Sequence, residues 1–137
     1  MNAFRLALLV VFCASGCGTT HQRLLDSGSS QVQLRSIQSR AFETADRELA
    51  LRTIIATLQD FDFVIDEADD ELGSVSATKL ARYELRVTVT VRPHGERRLL
   101  IRANLQMTNK PALDPEPYQQ FFAGLEKAMF LEAQQVD

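Results

Sequence analysis

The apolar residues predict an α+β domain in two layers, an antiparallel sheet of four to five strands with two amphipathic helices packed on one face. Three observations carry that prediction. From Tyr83 to Arg92 the chain alternates strictly, with Tyr83, Leu85, Val87, Val89 and Val91 on one side and Glu84, Arg86, Thr88, Thr90 and Arg92 on the other. Leu99, Ile101, Ala103, Leu105 and Met107 repeat the pattern a short turn later. Two further segments, one before and one after these strands, place apolar residues three and four apart, the spacing of one helix face. A single apolar sheet face and two helices to cover it give the order β-α-β-β-β-β-α.

Residues 1–16 read as a lipoprotein signal peptide: Arg5, an apolar run from Leu6 to Phe12, then Ala14, Ser15 and Gly16. The run is about ten residues at most, against roughly eighteen or more for a membrane-crossing helix. Ala14-Ser15-Gly16-Cys17 resembles the bacterial lipobox, with alanine where leucine is commoner, and this makes Cys17 the expected site of lipidation. Residues 17–32 are rich in Gly, Ser, Thr and Gln and read as a flexible tether. About 15 such residues span roughly 20 Å on average. A single α+β domain is expected over 33–137.

Within that domain, Leu34, Ile37 and Phe42 fit neither period well, and residues 33–42 read as a first, edge-type strand. Thr44 then serves as the expected cap of a helix over about 45–59, with Asp46 and Glu48 in its first turn and Leu51, Ile54, Ile55 and Leu58 as its buried stripe. Phe61, Phe63 and Ile65 alternate with polar or outward residues in a short strand, and the acidic run Asp66 to Glu71 reads as a turn closed by Gly73. Residues 74–80 form a weaker strand with Val75 and Ala77 inward. Matching the apolar faces of the next two strands pairs Val91 with Leu99, Val89 with Ile101, Val87 with Ala103 and Leu85 with Leu105. Asp114-Pro115-Glu116 starts the last helix, whose stripe is Tyr118, Phe121, Phe122, Leu125, Ala128 and Met129.

Composition narrows the chemistry. Without residues 1–16 the chain keeps 121 of its 137 residues, and loss of Arg5 leaves 14 basic against 18 acidic side chains, a net charge of −4. That balance speaks against nucleic acid as a general partner. Of two cysteines, Cys13 lies in the signal, so only Cys17 remains and neither a disulfide framework nor a thiolate metal site is available. The two histidines, His21 and His94, fall in the tether and in a turn. No metal and no cofactor are expected. The acidic run lacks the spacing of a calcium loop. Ser76 and Lys79 match a Ser-x-x-Lys signature, but in a strand three residues put the two side chains on opposite faces, and its companion motifs are missing. Catalysis is therefore not expected. Arg86, Arg92, Arg98 and Arg102 are expected together on the outer sheet face, with Arg92 opposite Arg98, as a docking face for an anionic group or an acidic partner.

The layout of lipobox, LQDFDFVIDEADDELGSVSATK, hairpin and YQQFFAGLEKAMF resembles a group of small uncharacterised bacterial lipoproteins, with Leu58, Gln59, Gly73 and Lys79 as the matching positions. In outline it is also similar to helix-grip domains of accessory lipoproteins of the outer-membrane β-barrel assembly machine. The resemblance covers about 100 residues and implies no catalytic residue. With Gly18 after Cys17, it implies an outer-membrane lipid anchor with the domain facing the periplasm. The expectation is a non-enzymatic binding or scaffold lipoprotein with an envelope protein partner. The alternative is a carrier of a lipid or small apolar ligand between helices and sheet.

Overall fold

A computed structural model describes residues 31–134, with side chains as far as Phe130. The signal segment, Cys17, His21, the tether up to residue 30 and the side chain of Leu131 lie outside the described residues. The elements are α1 (31–38), β1 (Ser39–Phe42), α2 (Arg47–Asp60), β2 (Val64–Asp69), β3 (Ser74–Leu80), β4 (Glu84–Pro93), β5 (Leu99–Met107), β6 (Lys110–Pro111) and α3 (Pro115–Gln134). All strand pairs are antiparallel, in the order β1-β5-β4-β3-β2, with β6 also on β5. From Gln33 onward the described chain is one unit.

The two layers follow from strand parity. Val75, Ala77, Val87, Val89, Val91, Leu99, Ile101, Ala103 and Leu105 are buried in one cluster with Ile54 and Leu58 of α2 and Tyr118, Phe121, Phe122 and Leu125 of α3. The alternate residues of the same strands face away from the helices. Phe121 and Phe122 meet edge to face at 5.2 Å between ring centres. Gly124 lets the helices approach: a Cβ there would stand 3.0 Å from the Phe61 ring.

Several expectations are corrected. Residues 33–42 are a strand only from Ser39; the preceding turns are helical, because Leu34 and Ile37 are three apart and Ile37 packs on the core. The described residues therefore hold three helices rather than two. The cap of α2 is Asp46, whose carboxylate accepts the Leu49 N–H at 2.9 Å; Thr44 sits two residues earlier and accepts the Asp46 N–H at 3.1 Å.

The acidic run is not all turn. β2 begins at Val64 and continues through Asp66, Glu67 and Asp69, with a bulge between Ile65 and Glu67. An edge strand tolerates charges that a central strand would not, and here they guard its free edge. The reversal comes only at Asp70 to Gly73. Gly73 has φ +67°, its carbonyl accepts the Val91 N–H at 2.8 Å, and a Cβ would lie 2.7 Å from the Val91 carbonyl. Arg47 spans the same turn, donating from Nη2 to the carbonyls of Asp70 and Glu71.

The central hairpin is shifted by two residues from the expected register. Val91 pairs with Ile101, Val89 with Ala103, Val87 with Leu105, Leu85 with Met107 and Pro93 with Leu99. A shift of two keeps every side chain on its face, so the apolar pattern cannot detect it; the turn decides. His94 donates its N–H to the Arg98 carbonyl at 2.8 Å, and Gly95 turns the chain at φ +76°. Tyr83 lies outside the strand and is exposed.

A sixth strand comes from a tight hairpin. Thr108 and Asn109 both have positive φ, 47° and 62°, as a two-residue turn of the primed type requires, and Met107 pairs with Lys110. β1 and β6 thus share one edge of β5 and leave a gap between them. Tyr118, fully buried, fills it: its hydroxyl accepts the Leu105 N–H at 3.3 Å and the Gln38 amide at 3.4 Å, and donates to the Ala112 carbonyl at 3.1 Å.

Candidate functional site

The outer sheet face carries the polar members of the alternating strands, and no described element packs over it. Across the sheet, Ser74, Thr90 and Arg102 share one row, Ser76, Thr88 and Asn104 the next, and Thr78, Arg86 and Gln106 a third. At the β2 side Thr78 donates to Asp66 at 2.7 Å. Over β4 and β5 the face dips into an open trough of about 430 Å³ lined by Thr88, Thr90, Arg92, Leu100, Arg102 and Asn104.

Arg102 is held in an informative way. Its Nη2 donates to the side-chain oxygen of Gln38 at 3.2 Å, and Gln38 is only 4% exposed, fixed from its other end by Tyr118. A neutral amide orients the guanidinium without cancelling its charge. Arg92, in the neighbouring row opposite Leu100, forms no ion pair among the described residues. Leu100 gives the trough an apolar floor between the two cations.

The four arginines expected together are not equivalent. Arg86 lies on the face but is engaged by Glu84 at 2.8 Å. Arg98 is in the hairpin turn, outside the ladder, and no longer faces Arg92, because the register has moved by two. Arg92 and Arg102 remain as the pair that flanks the trough. Thr88, Thr90 and Asn104 join them, and their shared parity was the available signal. Gln38 carried none, since its role comes from a contact 64 residues away.

Ser76 and Lys79 lie on β3 with opposite parity. Ser76 pairs across from Thr88 on the outer side, whereas Lys79 reaches over the inner side and donates to the Phe61 carbonyl at 2.9 Å. Among the described residues no three His, Cys, Asp or Glu side chains are grouped to hold a metal ion. No described helix is long and apolar enough to cross a membrane. No family model matches the chain, and no curated protein matches it significantly.

Proposed function

We propose that this is a membrane-tethered envelope lipoprotein acting as a non-enzymatic binding or scaffold module, an accessory part of an envelope assembly or transport complex. It docks an acidic protein partner on the outer face of its sheet. The observation that carries the reading is Arg102, oriented by a buried neutral amide and left with its full charge beside Arg92 in an open trough. Guanidinium forks suit carboxylates, which they bind through two parallel hydrogen bonds. The lipobox ending at Cys17 supplies the anchor in this reading.

Envelope pull-downs with the native chain and with Arg92→Glu/Arg102→Glu test the docking face. The reading expects a partner that is lost on charge reversal and weakened as salt rises, because exposed charges are screened beyond about 10 Å at 0.1 M salt. An unchanged set of partners overturns it. The carrier reading is the lesser one. The groove between helices and sheet narrows to a pocket of about 210 Å³, below the roughly 300–1,000 Å³ typical of drug-sized ligands.

A further inference from the structure

The groove between the helices and the inner sheet face stays open at the end where α2 finishes. There it forms a pocket of about 210 Å³ walled by Phe61, Phe63 and Phe121, with Leu85 and Leu105 as part of its floor. Pro117 and Gln120 of the first turns of α3 close its far rim. A dry apolar cavity of about 150 Å³ accommodates benzene. The space here therefore takes one ring, or a chain of about six carbons, together with a small headgroup, and is too short for a full acyl chain.

The polar groups in this apolar setting define the headgroup. Lys79 runs along the pocket wall and lifts its ammonium 6.0 Å from the centre of the Phe63 ring. One of its three N–H donors is committed to the Phe61 carbonyl at 2.9 Å. The nearest carboxylate, Asp62, stands 3.5 Å away on a side chain that is 86% exposed, a pairing that contributes little and exchanges easily. Across the rim, the Gln120 amide nitrogen donates to Glu116 at 3.1 Å, so the cation of Lys79 is the group that selects the headgroup. One half-buried cation at the mouth of an aromatic-walled pocket is complementary to a small amphipathic anion.

We propose that this pocket is a binding site for a small amphipathic carboxylate, an aryl or short-chain aliphatic acid. Its hydrocarbon lies among Phe61, Phe63 and Phe121, and its carboxylate takes the place of Asp62 at Lys79. The site is on the opposite side of the sheet from Arg92 and Arg102, and it stands or falls independently of the docking face.

The test is an NMR titration of the full chain carrying Cys17→Ser, which keeps acyl groups out of the measurement, with benzoate and with uncharged benzyl alcohol. The amide signals of Leu85, Leu105 and Phe121 should shift, and benzoate should bind at least about tenfold more tightly than the alcohol, the ratio read from the two dissociation constants. Lys79→Met retains the apolar stem and should abolish that ratio while leaving benzyl alcohol binding in place. Because Lys79 also closes the end of α2, a second variant guards against misfolding: Gln120→Trp, on the exposed side of α3, should fill the mouth and block both ligands with the fold intact. Equal affinity for the two ligands, a preference that survives Lys79→Met, or absence of shifts at the pocket overturns the proposal.

Discussion

Tyr118 shows how much of this fold rests on one polar atom. Its hydroxyl satisfies a backbone donor of β5 and a backbone acceptor ahead of α3, in a gap that no strand fills. Tyr118→Phe keeps the ring but leaves both groups buried and unpaired. The expected loss is about 1–3 kcal/mol, read as a lower urea midpoint at unchanged slope. Gly73 is a second such position. Gly73→Ala forces a Cβ into a left-handed conformation, which costs about 1–2 kcal/mol. The 2.7 Å approach to the Val91 carbonyl adds to that cost. Thermal unfolding should show the drop, and a Gly73→Ala variant as stable as the native chain would contradict the geometry.

Among the elements, the Thr108-Asn109 turn is the one whose sequence fits its backbone least well. Asparagine tolerates positive φ, whereas β-branched threonine at φ 47° is strained. Thr108→Asn should therefore stabilise the chain by about 1 kcal/mol, measurable as a higher melting temperature. This hairpin also marks where the sequence stops being readable. Strand faces were legible, because Val87, Val89 and Val91 have parity that no environment can alter. Register was not, because a shift of two leaves parity untouched and the choice passes to His94, Gly95 and Arg98. The two-residue strand Lys110–Pro111 is too short for any period. The α1 turns were obscured because only Leu34 and Ile37 mark them, and the Gln38 contact with Arg102 exists only once β1 lies against β5. Hence Arg92 and Arg102 could be placed on one face beforehand, while the loss of Arg98 from it could not.

For the whole molecule, the two sides of one sheet differ in what covers them. The helix side has a pocket beside Lys79 and another between Leu51 and Ile55 of α2 and Val75 of β3, and the outer side is open over β4 and β5. The anchor is the part of the reading that can be removed without touching either. Cys17→Ser should move the protein from the membrane to the soluble fraction while the folded domain keeps its melting temperature. A variant that still fractionates with membranes would overturn the lipid anchor.

Gln38 has a mechanical meaning as well. It stands immediately ahead of β1, an edge strand held to β5 by the four residues Ser39–Phe42, and it is buckled to the domain through Tyr118 and Arg102. A pull along the chain from its N-terminal side loads that buckle before it can peel the strand. The residue that aims Arg102 therefore lies, with Ile37, on the path of that tension, so a load on this end of the domain and the posture of Arg102 are coupled.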